Sequence, residues 1–225
     1  MNRYLEGVDL PPSKEAFIRA IKELRERTPK RKFKQSIELS FRLRDLDLKR
    51  PENRISEAVE LPHPVNKPVR VCVIASGDLA SRAKRSDVDG VLDRGELEAL
   101  SGDKKAAKKL VNRYDHFIAE ASLMPLVGRV LGAMLGPRGK MPTPVPPTAP
   151  VEDVVTRHRR LVRIRVRDQP SIKCRIGTED MSEDELADNA LAVVSAVEAK
   201  LPKGPKNVDN IRLKATMGPS VKVVE

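Results

Sequence analysis

Hydrophobic and polar residues alternate strictly along residues 35–44, QSIELSFRLR. A period of two predicts a strand that buries one face and exposes the other. The same alternation recurs at 161–167 and 210–217, and a shorter apolar pattern occupies 171–177. We predict that 161–177 forms a hairpin across the turn sequence DQPS and that 210–217 is a last strand.

Two helices are predicted next to these strands. Ser13 is placed to cap a helix that runs to about Arg27 and has one apolar face. Ser182 and Glu185 have capping-box spacing and open a second helix, whose apolar residues recur as far as Val197. This order of elements indicates an α+β domain in which helices cover one face of an antiparallel or mixed sheet.

The middle of the chain follows a different pattern. VRVCVIA (69–75) is almost continuously apolar, as expected of a parallel strand that is covered on both faces. A further strand is predicted at 114–120, and a helix at 122–135 that Gly136 and Pro137 stop. These elements predict a small, three-layer, Rossmann-like α/β domain.

Proline-rich segments, LPHPVNKP (61–68) and MPTPVPPTAP (141–150), bracket that middle region. Because proline fixes φ and lacks an N–H, neither segment fits a helix or a central strand, and both are predicted to be extended connectors. We therefore predict a discontinuous domain of split β-α-β type at 1–66 and 151–225, with an inserted domain at 67–150.

The chain has 225 residues, a formal net charge of +11 and only 3% aromatic residues. So few rings argue against a protein that stacks single-stranded bases along a row of aromatics. No apolar run reaches the ~18 residues that cross a bilayer, and the N-terminus lacks the apolar core of a signal peptide. We expect a cytoplasmic protein with no membrane partner, and the positive charge indicates a polyanion as its partner.

Nucleotide-binding loops do not match the inserted domain. ASGDLA, after its first strand, lacks the pattern G-x-G-x-x-G, and Met141 follows Lys140 where a phosphate loop has Ser or Thr. The histidines lack metal-ligand spacing, and both cysteines are expected to be reduced and buried. We predict no enzyme, no catalytic residue, no metal and no cofactor; a nucleotide-binding α/β enzyme is kept as a disfavoured alternative.

Basic residues form one cluster at 27–34 and another at 157–175. Arg163, Arg165 and Arg167 would share one face of a strand, where their charges repel unless an anion compensates them, which favours a phosphate-facing surface. Residues 216–218 offer a hydroxyl, an apolar surface and a close backbone approach, which suit the minor groove of folded RNA. A basic scaffold that binds RNA without site preference is the second alternative.

Three segments, FKQSIEL (33–39), LGPRGKMPTP (135–144) and TMGPSV (216–221), resemble the family of the first protein of the large ribosomal subunit, "L-one". They occur in the family's order and spacing, and the resemblance covers nearly the whole chain. LPHPVNKPVRVCVIASGD and the IGTEDMS segment resemble its archaeal-type branch. The resemblance implies a structural protein whose discontinuous domain binds the rRNA of the mobile stalk beside the exit tRNA site.

The resemblance also implies further partners: exit-site tRNA, whose release the family assists, the rest of the large subunit, and the protein's own mRNA, which the family represses through a site that mimics rRNA. Such a protein works in the ribosome, in the cytoplasm. Secondary RNA contacts are expected at Arg163, Arg165, Arg138 and Lys140. The RNA-binding positions carried over from the family's motifs are Phe33, Lys34, Ser36, Lys173, Thr178, Asn210, Thr216, Met217 and Gly218.

Overall fold

The computed structural model describes residues 12–50, 53–65, 68–166 and 168–224. The chain divides into two compact units: an outer unit, formed by residues up to 67 and from 160 onward, and an inserted unit, formed by residues 68–159. In chain order the elements are α1 (Lys14–Arg27), β1 (Ser36–Leu43), β2 (Ser56–Glu60), β3 (Val71–Ile74), α2 (Gly77–Arg85), β4 (Gly90–Leu92), α3 (Arg94–Ala99), α4 (Lys104–Arg113), β5 (His116–Glu120), α5 (Met124–Arg138), β6 (Thr143–Val145), α6 (Val151–Arg159), β7 (Leu161–Arg165), β8 (Ser171–Thr178), α7 (Glu183–Lys200), β9 (Val208–Ala215) and β10 (Ser220–Lys222).

The outer unit is built on a four-stranded antiparallel sheet in the order β10-β9-β1-β8. The alternation predicted for 35–44 is confirmed, since Ile37, Leu39, Phe41 and Leu43 are all buried. Helices α1 and α7 pack together over this buried face and share its apolar core. The side chains on the other face of the sheet are exposed or half-exposed, which leaves that face open to a partner.

The two predicted helix starts are also confirmed. The Ser13 hydroxyl accepts a hydrogen bond from Ala16 N at 3.3 Å, which satisfies a free N–H of the first turn of α1. Ser182 and Glu185 form a reciprocal capping box at α7, in which each side chain bonds the other residue's backbone N–H. These caps fix where the two covering helices begin.

The predicted hairpin at 161–177 is wrong. β7 pairs antiparallel with β2 in a separate two-stranded sheet, whereas β8 pairs with β1. The sequence of β2, SEAVE, buries only Val59, so its hydrophobic pattern is too weak to predict a strand. Alternation identifies β7 and β8 as strands, but it does not say which edges pair. A second unpredicted strand, β10, pairs with β9 after the turn at 216–219.

The inserted unit has a four-stranded parallel sheet in the order β4-β3-β5-β6. Apolar cores lie on both faces: α3, α4 and α5 cover one, and α2 and α6 cover the other. Every residue of β3 is buried, as its continuous apolar run predicts. The predicted fold class, an α+β domain with an inserted three-layer α/β domain, agrees with these two sheets.

Two details of the inserted unit differ from the expectations. Residues 151–159 form α6 and belong to this unit, not to the outer one as predicted, because Val151 and Val155 are buried in the core of the parallel sheet. Helix α5 continues through Pro137 and ends at Gly139, whose φ of 68° is left-handed.

No helix of the described residues is long and apolar enough to span a bilayer.

Candidate nucleic-acid interface

The polar side of the outer sheet carries mostly basic side chains. The strand register places them in rows across the sheet, so residues on neighbouring strands lie about 5 Å apart. We call this surface the open basic face. Its rows are Arg175, Glu38, Lys214 and Ser220; then Lys173, Ser40, Arg212 and Lys222; then Ser171, Arg42 and Asn210.

Six cations and one carboxylate, Glu38, therefore share the rows of the open basic face. Arg42 has a partner at the border of the face, where its Nε lies 3.4 Å from Asp209 Oδ2. The remaining excess of positive charge raises the electrostatic potential over one flat surface. Such a surface attracts a phosphate backbone, whose counterions are released on binding.

One end of the sheet gathers several of the predicted contacts. Thr216 follows β9 and lies beside Ser36, the first residue of β1, and Phe33 and Met217 flank these two residues in the chain. Phe33 is 50% exposed and Met217 56% exposed, although most large apolar side chains of the described chain are buried. We call this region the sheet end. Its two exposed apolar side chains provide a surface that a sugar or a base can pack against.

The Thr216 hydroxyl is already hydrogen-bonded within the sheet end. It accepts from Ser36 N at 3.1 Å and donates to Ser36 O at 3.2 Å, while Thr216 N donates to the same oxygen at 3.0 Å. This hydroxyl therefore closes the last pairing between β9 and β1. Thr216 therefore helps to fix the position of Met217, the next residue in the chain.

Gln35 holds the sheet end together and was not predicted. Its side chain is fully buried; Nε2 donates to Pro29 O at 3.2 Å and Oε1 accepts from Met217 N at 3.1 Å. Its backbone pairs with Glu179 through N to Oε1 at 3.1 Å and O to N at 3.0 Å. The sequence does carry a signal: Gln35 stands at an inward position of the alternating pattern, where an amide needs buried partners.

Lys34 and Thr178 both contact Asp180. Lys34 Nζ lies 2.6 Å from Asp180 Oδ2, and the buried Thr178 hydroxyl donates to Oδ1. The pKa of Asp180 is lowered to about 2, chiefly by the Lys34 ammonium and next by this hydroxyl. Lys34 is thus ion-paired in the free protein, and Thr178 is buried opposite Ser36 in the strand register.

Gly218 is surrounded by protein atoms. A Cβ at this position would lie 2.6 Å from Thr28 Oγ1 and 3.2 Å from Ala215 Cβ. The Thr28 hydroxyl is itself fixed by a 2.5 Å hydrogen bond to Leu24 O. The glycine therefore lets the turn after β9 pack against the end of α1, which leaves Met217 on the outside.

Residues 23–219 match the model of the ribosomal protein L1p/L10e family. The chain belongs to this family. It is 50% identical over 210 residues to the large ribosomal subunit protein uL1 of Hyperthermus butylicus, covering 93% of this chain and 96% of that protein. It is 53% identical over 206 residues to the protein of the same name from Thermofilum pendens, covering 91% of each. These relatives confirm the resemblance, its archaeal-type branch and the prediction of a non-enzymatic protein.

Within this L1p/L10e chain, two predicted contacts lie away from the sheet end. Lys173 is opposite Ser40, four residues along β1 from Ser36 and so roughly 13 Å away at the rise of a strand. Asn210 is opposite Arg42, farther along the same strand, and its Nδ2 donates to Asp209 Oδ2 at 3.1 Å. Both belong to the open basic face.

Two of the predicted secondary RNA contacts lie in another sheet of the outer unit. Arg163 and Arg165 lie in β7, opposite Ala58 and Ser56 of β2, in a separate sheet from the open basic face. Arg167, which was predicted to share their face, lies outside the described residues. The structure therefore does not bring these arginines together with the other predicted contacts.

The two cations at the end of α5, Arg138 and Lys140, both contact the last part of α4. Arg138 donates to the Asn112 side chain, and Lys140 Nζ donates to Tyr114 O at 2.6 Å and Val111 O at 3.2 Å. Burial is the main cause that lowers the pKa of Lys140. Lys140 is thus a structural residue that binds the last carbonyls of α4.

The described part of the chain contains neither a metal-binding cluster nor a reactive thiol. No group of three His, Cys, Asp or Glu residues there is arranged to hold a metal ion. Cys72 and Cys174 are free and buried, and burial raises the pKa of each thiol to about 12. Both thiols are therefore protonated at neutral pH and pack as small apolar groups.

Proposed function

We propose that this protein is a structural component of the large ribosomal subunit and binds ribosomal RNA through the open basic face and the sheet end of its outer unit. The observation that carries the proposal is the strand register, which places six cations on the face opposite the helices and leads to the exposed Phe33 and Met217. The names of its relatives support a place in the ribosome, and hence in the cytoplasm.

The two regions divide the work. The cations attract phosphates wherever they lie, so this part of the binding energy falls steeply with salt and carries little sequence information. The sheet end is rigid, because Gln35 and Thr216 fix its backbone, and it presents apolar side chains instead of charge. A folded RNA whose shallow minor groove fits that shape gains contacts that other RNAs do not.

We further propose that the preferred RNA is the stalk rRNA, and that the protein's own messenger binds the same surface when it folds to the same shape. One surface then serves both RNAs, so free protein represses its messenger only when rRNA is not available to compete. The family resemblance supports this proposal, as it does a role in the release of exit-site tRNA.

A salt titration tests the proposal, with a stalk rRNA fragment compared to a scrambled RNA of equal length. Met217→Ala should weaken stalk binding by about 1 kcal/mol, as expected for an apolar side chain half-buried on binding, and should leave the scrambled RNA unaffected. Arg212→Gln with Lys214→Gln should weaken both RNAs and lower the salt slope by about 2.

Two results together would contradict the proposal. If the stalk fragment and the scrambled RNA are released at the same salt concentration, and Met217→Ala changes neither, the surface is a general polyanion patch. The protein would then bind RNA without site preference.

A further inference from the structure

Helix α4 of the inserted unit, KKAAKKLVNR, has five cations and no acidic residue. Ala107 and Val111 are its buried residues and join the core beneath it. The solvent side is a continuous basic surface about 14 Å long at the rise of an α-helix. Its exposed cations are Lys104, Lys105, Lys108, Lys109 and Arg113.

The positions of these lysines lower the stability of the helix. Lys104 and Lys108, and likewise Lys105 and Lys109, are four residues apart, where like charges destabilise a helix. Cations in the first turn also oppose the helix dipole. None of the four makes an ion pair within 4 Å among the described residues.

The nearest carboxylates in sequence are occupied by backbone groups. Asp103 caps the helix, accepting from Lys105 N at 2.8 Å and Ala106 N at 3.0 Å, and Asp115 accepts from Arg70 N at 3.1 Å. A further cation joins the surface, since Arg138 binds the exposed side chain of Asn112, the second-to-last residue of α4. The fold itself thus gives no reason for the concentration of positive charge.

We propose that α4, together with Arg138, is a second RNA-binding surface, which holds the phosphate backbone of folded RNA without reading its sequence. Lysines act as point charges toward phosphate, and their spacing along two helix turns suits a row of phosphates better than one ligand. An acidic protein fits less well, because protein interfaces are depleted in lysine and enriched in aromatic residues. A membrane surface needs an exposed apolar row, and the solvent side of α4 has none.

The test uses the full chain with K104Q, K105Q, K108Q and K109Q combined. A matched control neutralises four exposed lysines elsewhere, Lys49, Lys84, Lys203 and Lys206, so that both variants lose the same charge. Both sets are placed in a background with Arg212→Gln and Lys214→Gln, which weakens the open basic face. The probe is an RNA duplex of arbitrary sequence, titrated with salt.

The α4 variant should lose at least tenfold in duplex affinity, with a salt slope lower by about 3 to 4, while the control changes by less than about threefold. It should unfold at the same or a higher temperature, because repulsion is relieved. In the otherwise natural chain, its preference for the stalk fragment over scrambled RNA should be unchanged, so this proposal can fail without the proposed function failing. Equal losses in both variants would overturn it, as would lost binding to polyglutamate or anionic vesicles with duplex binding intact.

Discussion

Two basic segments of this protein look equally suited to RNA binding from their sequences. In the structure, their cationic side chains have different surroundings. On the outer sheet, Arg212 and Lys214 extend from β9 with exposed side chains in a row with other cations. After α5, Lys140 turns its ammonium onto two carbonyl oxygens of the neighbouring helix. One set of charges faces solvent, and the other completes the fold.

A basic residue in a family motif can thus be hydrogen-bonded within the fold, as Lys140 is. What distinguishes the two regions is whether protein acceptors already surround the cation. On a sheet face, alternation directs side chains away from the backbone, whereas at a helix end free carbonyls attract a lysine.

Gln35→Leu should destabilise the protein by about 2–4 kcal/mol, because it removes the buried amide and leaves Met217 N and Pro29 O without their partners. Stalk RNA affinity should fall as well, since Met217 is no longer fixed. Urea unfolding and a binding titration measure the two effects, and Gln169→Leu, at an exposed position, is the control. Unchanged stability would show that the sheet end does not depend on this amide.

Lys140→Met should cost about 1–2 kcal/mol of stability, because the carbonyls at the end of α4 lose a charged donor that is itself partly exposed. RNA affinity at the open basic face should not change. Lys214→Met is the counterpart, with stability within about 0.5 kcal/mol of the parent and weaker RNA binding. If instead Lys140→Met weakens stalk binding while the protein stays stable, the division described above is wrong.

Acid should release the contact between Lys34 and Asp180. The folded pKa of Asp180 is about 2 against an ordinary value of 3.8, so its stabilising effect is complete above 3.8 and is lost as the pH falls through 2. Lys34→Met should flatten the decline in stability between these pH values, and Lys32→Met, at an exposed neighbour, should not. Parallel curves for Lys34→Met and the parent would rule out this ion pair as the cause.

The sequence predicts best where burial follows a simple period. Strand β1 and helix α7 agree with their patterns because each buries one face against a single core. The hairpin at 161–177 fails since pairing depends on β2, whose only buried residue is Val59. Tertiary partners of this kind leave no periodic signal.

The candidate site is likewise predicted only in part, because contacts between residues distant in sequence leave no periodic signal. Phe33 and Met217 are predicted from the motifs of the family resemblance, and both side chains are exposed in the structure. Gln35 is missed, because a polar residue at an inward position becomes informative only once its partners 182 and 6 residues away are known. The role of Lys140 likewise depends on α4, an element packed beside it and not adjacent in sequence.

Ser36 and Thr216, joined at the sheet end, are separated by 180 positions in the chain. During synthesis β1 is made before the inserted unit, and its neighbour β9 is made after it. The central pairing of the outer sheet therefore cannot form until β9 has been made, whereas the inserted unit has all its strands well before. Until then, a nascent chain carries no finished sheet end.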